Sequence, residues 1–262
     1  MSTILQICRC CNEHNATRWR VMHQRVGLFG FWRRQPLAYA RSRGEQQQGG
    51  VGAVMDVVGI LLAAGKGERF DPSSQRLKLL ESVGSNSGDA EPIVVAAARS
   101  LRAAVGPVIA IVRDEPGTNQ DLLRTLLAEQ GCTVVPCERA HEGIGASIAC
   151  AVRAAPNARG WIIALADMPR VQQQTIAAVR KAIVEGAASA APFYRGRRGH
   201  PVGFGAICGP QLTALKGDVG AREVLQRHPP VPIDVDDPGV LCDIDEPKDL
   251  ANARAQVLRR IS

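Results

Sequence analysis

The chain has 262 residues, 45% of them hydrophobic, and a formal charge of +7, which is enough apolar material for a sizeable core in one large domain or one domain with an appendage. No run reaches the roughly 20 apolar residues of a membrane span, and the start has no continuous apolar segment of the secretory kind, so the expectation is a cytoplasmic protein without a membrane partner. Eight cysteines are too sparse for a disulfide scaffold, and Cys132, Cys137, Cys150, Cys208 and Cys242 stand singly among apolar segments, as small buried hydrophobes do.

Charge divides the chain near Met55. Residues 1–54 hold eight arginines, no lysine and two glutamates, a net +6, and the remainder carries 24 basic against 23 acidic side chains. The basicity therefore belongs to the leader, and with no recognised nucleic-acid module the folded part is not expected to bind nucleic acid. Residues 1–54 show poor helical periodicity and end in a Gly/Gln-rich stretch, Arg43 to Gly50, which reads as a disordered basic leader. A targeting peptide, a basic tail and translation from an unused upstream start codon all fit it; we prefer the last, with a single domain over residues 55–262. Cys8, Cys10, Cys11 and His14 match no common zinc spacing.

The first strong signal is Val57 to Lys78. Val57, Val58, Ile60, Leu61 and Leu62 form a β-branched run suited to a strand buried on both faces, and Ala63, Ala64, Gly65 and Gly67 follow at once. Such small residues leave main-chain N–H groups open to phosphate oxygens, with Arg69 and Lys78 supplying positive charge. The Walker loop is absent, and the dinucleotide fingerprint fails because Phe70 stands where its third glycine belongs. A plain glycine turn between strand and helix is the alternative reading of this stretch taken alone.

A polar stretch, Glu81 to Glu91, leads to a helix from Pro92 to Leu101 with proline in its first turn. Strands are then expected at 108–112, 132–136 and 161–166, and helices at 119–130, 144–155 and 171–184. This alternation predicts an α/β fold, a mainly parallel sheet with helices on both faces, in which ligands bind beyond the carboxyl ends of the strands. The glycine loop and Asp167 both fall at such ends. Strands at 187–194 and 201–207 flank the basic turn Arg195 to His200, and two short helices flank Gly217 to Arg222. A strand at 231–235, the acidic segment Asp243 to Leu250 and a closing helix complete the chain.

Asp167 is a hard oxygen ligand behind a buried strand, and with a carboxylate from Asp243 or Asp245 it suits Mg²⁺, which takes one or two carboxylates plus phosphate and water. An aspartate at a strand end is also a common helix cap, and Asp245 before Glu246-Pro247 has the pattern of an N-cap. We prefer the metal for Asp167; for Asp243 and Asp245 both readings stand.

The stretch LAAGxGxR at Leu62 to Arg69 resembles the signature of nucleotidyltransferases with a Rossmann-like three-layer domain. Ala164 to Pro169 resembles their LxGDMP metal motif, Gly143-Ile144-Gly145-Ala146-Ser147 their GMGxS nucleotide loop, and Asp243 to Pro247 their DIDTP segment. Arg198-Gly199-His200-Pro201-Val202 and Gly217 to Arg222 narrow the likeness to the RGHPV and GDxGAR motifs of molybdenum cofactor cytidylyltransferases. The resemblance covers Val57 to Leu250 and implies transfer of CMP from CTP to the terminal phosphate of Mo-molybdopterin, giving molybdopterin cytosine dinucleotide and pyrophosphate.

It further implies catalytic roles for Arg69, Lys78 and Asp167, nucleotide binding by Leu62, Ala63, Ala64, Gly65, Gly67, Gly143 and Ser147, and pterin binding by His200, Pro201, Asp218 and Arg222. The metal would rest on Asp167 with Asp243 and Asp245, and the partners would extend to an apo molybdenum hydroxylase or its maturation factor. Ser147 reads equally as a helix residue; for His200 we prefer a role in binding over an ordinary turn histidine; and Arg197-Arg198, which could also hold the anionic pterin, reads at least as well as a solvated turn, so Arg222 is preferred. Departures exist: Asp71 and an extended 72–77 stretch precede Lys78, Ala166 replaces a glycine and Glu246 a threonine. The guanylyltransferase of the same pathway, which usually carries LAGG and lacks RGHPV, is the nearest alternative, followed by another small nucleotidyltransferase; a non-catalytic cofactor carrier is the alternative of a different class.

Overall fold

A computed structural model describes residues 56–73, 75–83 and 91–261, with side chains through Ala255. The expected leader, Met55 and the Cys8 to His14 cluster lie outside the described residues. Four strands form the parallel half of one sheet: β1 (Val58–Leu62), β2 (Val108–Arg113), β3 (Thr133–Cys137) and β4 (Gly160–Leu165), in the order β3-β2-β1-β4. Every residue of β1 and β2 is buried, as a strand covered on both faces requires. The period of two sorts them cleanly: Val57, Leu61 and Ala63 enter one core, and Val58, Ile60 and Leu62 the other.

On the first face pack α1 (Ile93–Val105), α2 (Thr118–Glu129), α4 (Gln173–Val184) and the closing helix α7 (Pro247–Ile261). In α1 the buried residues Val94, Ala97, Ala98, Leu101 and Val105 repeat at helical spacing and so make one apolar stripe. Pro92 is the residue just before this helix, not part of its first turn. On the second face lie α3 (Ile144–Ala154) and two short helices, α5 (Gly209–Thr213) and α6 (Arg222–Arg227), through Ile148, Val152, Leu212, Val224 and Leu225. This is an α/β sandwich of helices around a mostly parallel sheet. Of the cysteines in the folded part, Cys132, Cys137 and Cys208 are buried and none of the five forms a disulfide.

The second half of the sheet reverses direction. Strand β7 (Val202–Gly205) inserts between β4 and β5 (Ser189–Tyr194) and runs antiparallel to both. The basic turn is a tight hairpin, with β6 (Arg197–Arg198) folding back on Phe193 and Tyr194. Two reversals leave β5 pointing the same way as β4, and β8 (Val231–Asp234) pairs parallel to β5. The chain leaving β8 therefore emerges at the edge where β1 and β4 end, and that return carries residues 243–245 to the site.

The return is fastened by Asp237. Its carboxylate, 2% exposed, accepts hydrogen bonds from Gln172 N at 2.9 Å, Thr175 Oγ1 at 2.8 Å and Gly239 N at 3.0 Å, tying the segment after β8 to the start of α4. Replacing it strands three donors away from water. Asp237→Ala is expected to lower the unfolding free energy by about 2–4 kcal/mol, to be measured by urea denaturation.

Candidate active site

Strands β2 and β3 lie on one side of β1 and β4 on the other, so the chain changes direction between β1 and β4. That is the switch point at which an open α/β sheet leaves a crevice beyond its strand ends. A cleft of about 660 Å³ opens there, lined by the glycine loop, Lys78, Asp167, the 140–147 segment, Asp218, Asp243 and Asp245.

One wall is the turn after β1. Leu62, Ala64, Gly65 and Gly67 line the cleft. Ala63 does not: its N–H donates to Ile111 O at 2.9 Å and its methyl is 2% exposed, so the sheet has already claimed it. A Cβ at Gly65 would meet no protein atom within 4 Å and would occupy only cleft space. Phe70, buried, anchors the far end of the turn.

On the approach to Lys78, the Asp71 carboxylate accepts from Ser73 N at 2.9 Å and Arg76 N at 2.7 Å. Hydrogen bonds from Ser73 and Arg76 hold this carboxyl below its usual pKa. A short 3-10 turn at Lys78–Leu80, pinned by buried Leu79, then aims Lys78 inward.

Lys78 Nζ lies 2.7 Å from Asp167 Oδ2 and 3.0 Å from Asp245 Oδ1, and Arg69 Nη1 lies 2.8 Å from Asp245 Oδ2. The Lys78 side chain is 9% exposed. Burial pulls its pKa down, but Asp167 and then Asp245 outweigh burial and hold it above the ordinary lysine value. A raised pKa stabilises the fold below the unfolded value near 10.5 and loses that contribution as pH climbs through the folded value. The ion pair is therefore at full strength throughout neutral pH.

Asp245 does not cap α7. The carboxylate of Asp249 reaches back to the N–H groups of Asp245 and Glu246, at 3.1 and 2.8 Å, leaving both Asp245 oxygens to Lys78 and Arg69. The backbone bond from Ile244 N to Asp167 O, 3.0 Å, sets this acidic segment beside the end of β4.

Among the described residues no three histidine, cysteine or acidic side chains form a closed metal cluster. An open Mg²⁺ position needs less. Asp167 Oδ1 is buried without a hydrogen-bond partner, and Asp243 is exposed on the same cleft. A buried carboxylate oxygen with nothing to bind is costly unless a cation completes it, so these residues fit a hard divalent ion.

The opposite wall is the start of α3. Gly143, Ile144 and Ser147 line the cleft, Ser147 being buried. The 216–220 loop docks against this turn: Gly145 N donates to Gly217 O at 2.9 Å, and Ile144 N donates to Asp218 Oδ1 at 3.4 Å. A Cβ on Gly143, at φ +126°, would stand 2.7 Å from Asp218 Cα, and one on Gly145 would stand 2.9 Å from Gly217 O. Both glycines are thus required by packing between two loops.

Three residues expected to bind the pterin fall elsewhere. His200 and Pro201, joined by a cis peptide, close a small apolar pocket with Ala97, Leu101, Met168 and Val171. His200 N donates to Val240 O at 3.0 Å, and its Nδ1 is buried without a partner. Burial, helped by the Arg198 cation, pushes its pKa down against the pull of Asp167 and Asp243. Arg222 is exposed at the first residue of α6 and is not among the lining residues. Asp218 alone of this set faces the cleft.

Arg113 lines the cleft and was not singled out by sequence reasoning. Its side chain is 9% exposed and forks onto Glu115, with Nε at 2.9 Å from Oε2. The signal was there: an arginine ending the apolar run Val108 to Val112, at a strand end.

Against this geometry, the model of the MobA-like NTP transferase domain matches residues 59–231. The chain belongs to the MobA-like NTP transferase family. Within it, purine catabolism protein PucB of Bacillus subtilis is 28% identical over 202 residues, spanning 74% of this chain and 93% of PucB.

Rv0371c of Mycobacterium tuberculosis has the same fold, with a TM-score of 0.60 and 23% identity over 78% of this chain and all of that one, and has also been solved with manganese. Molybdopterin-guanine dinucleotide biosynthesis protein A of Archaeoglobus fulgidus shares it too, with a TM-score of 0.54 and 15% identity over 78% and 100% of the two chains. For a MobA-like transferase, Gly145→Ala is expected to cost about 1–3 kcal/mol in urea unfolding. It should also raise the nucleotide KM more than it lowers kcat.

Proposed function

We propose that this MobA-like transferase moves CMP from CTP to the terminal phosphate of Mo-molybdopterin, forming molybdopterin cytosine dinucleotide and pyrophosphate. The observation that carries the reading is the Lys78, Asp167, Asp245 and Arg69 cluster at the sheet's switch point, facing a cleft with a phosphate-type loop. The choice of cytosine rests on Leu62-Ala63-Ala64-Gly65 and on the RGHPV and GDxGAR stretches. The guanylyl reading is supported by the fold shared with the guanine dinucleotide protein of Archaeoglobus fulgidus.

In the proposed reaction an oxygen of the acceptor phosphate attacks the α-phosphorus of CTP, the new P–O bond forms, and the bond to the β-phosphate oxygen breaks to release pyrophosphate. The attacking phosphate is already ionised at neutral pH, so no general base is needed. Like charges must be brought together, and positioned cations are what the site supplies. Lys78 and Arg69 meet the triphosphate, and the open N–H groups of the 64–67 turn orient it. Asp167 with Asp243 would hold Mg²⁺, a position supported by the unpaired Asp167 Oδ1, and the ion would supply Lewis-acid stabilisation of charge on the phosphates.

To the nucleoside we assign Ser147 and Gly143, on the cleft wall at the start of α3, and to the acceptor Asp218, on the loop beside them. No described helix is long and apolar enough to cross a membrane; we place the enzyme in the cytoplasm with an apo molybdenum hydroxylase or its maturation factor downstream.

Pyrophosphate release with Mo-molybdopterin and CTP, GTP, ATP or UTP in parallel tests the reading. CTP-selective turnover is expected, with Asp167→Asn lowering kcat/KM by about 10²–10³-fold. GTP selectivity would transfer the protein to the guanylyl reaction, and no release with any nucleotide by the folded protein would remove catalysis on this acceptor.

A further inference from the structure

Lys78 meets the triphosphate in the reading above, yet its ammonium is already committed. It is held by two carboxylates at 2.7 and 3.0 Å with almost no exposure to water, and one of them is Asp167, whose second oxygen is the buried, unpartnered acceptor suited to a divalent cation. Asp245 is paired on both oxygens, to Lys78 and Arg69. The four paired groups are thus two anions against two cations, with Asp243 as a further carboxylate on the same cleft.

A divalent ion arriving alone at Asp167 meets a carboxylate whose charge is neutralised and an ammonium within a few ångströms of its own position. Repulsion between like charges at that range in a partly buried site is strong. A triphosphate changes the balance, because its oxygens offer the ammonium a new anionic partner within the same cleft.

We propose that Lys78 and a divalent cation compete for Asp167, so that free metal binds weakly and enters productively with the nucleotide, whose phosphates draw Lys78 away. Lys78 thereby couples metal binding to nucleotide binding, beyond any direct stabilisation of the reaction. The inference rests on Asp167 being the metal ligand and is independent of which base or acceptor the enzyme uses.

The test uses Mn²⁺ alone as the probe, on the full chain, with bound and free ion counted by electron paramagnetic resonance. Lys78→Met and Lys78→Gln are each expected to bind Mn²⁺ at least about tenfold more tightly than the wild type, with circular dichroism confirming the fold. A second arm needs no substitution: in the wild type, saturating Mn²⁺ should raise the rate of Lys78 acylation by acetic anhydride several-fold, read by mass spectrometry of the Lys78 peptide. Unchanged or weaker Mn²⁺ binding by the folded variants overturns the proposal. Lys78 acylation that is unchanged or slowed by Mn²⁺ does the same, even should neither variant fold.

These outcomes are separate from the fate of the proposed reaction. Tighter Mn²⁺ binding by the variants without CTP turnover by the wild type would leave the competition standing and remove the cytidylyl reading. CTP turnover without tighter binding would do the reverse.

Discussion

The site depends on one buried ammonium. Lys78 joins three segments that are far apart in the chain: its own turn, the end of β4 through Asp167, and the approach to α7 through Asp245. A lysine held this far from water is tolerable only when paired, and here the pairing outweighs the loss of hydration enough to raise its pKa. The same arrangement that closes the fold at this edge also stocks the cleft with charge. Stability and chemistry therefore share one set of atoms, which is why the cluster cannot be judged from either side alone.

The glycine-rich turn and the acidic strand end could be placed from sequence because both are local. A buried strand followed by small residues has few other uses, and the two-residue alternation in β1 is visible without any partner. What escaped was set by distant pairing. Nothing local indicates that β7 would slip between β4 and β5, or that β8 would return parallel to β5, yet those choices decide where Asp243 and Asp245 end up. Asp237 was invisible for the same reason, since its three donors come from two separate segments.

Motifs were legible as strings but not always as roles. The Gly217 to Arg222 stretch divides: Asp218 lines the cleft and accepts from Ile144 N at the start of α3, and Arg222 is exposed outside the cleft lining. The stretch at His200 lines a small apolar pocket beside Met168 and Val171, apart from the cleft lining. Ala63 sits inside a phosphate-type motif and spends its N–H on the sheet. In each case tertiary packing assigned the duty that the spelling left open.

The contact between the 143–145 turn and the 216–220 loop has an evolutionary consequence. On the 143–145 side neither glycine has room for even one added carbon, so that turn meets the 216–220 loop at the level of bare backbone. Any drift that reshapes one must be answered in the other at the same step. The start of α3 and the 216–220 loop beside it are therefore inherited as a unit, and new specificities in this scaffold should arise from side chains around that unit, with the pair itself left unaltered.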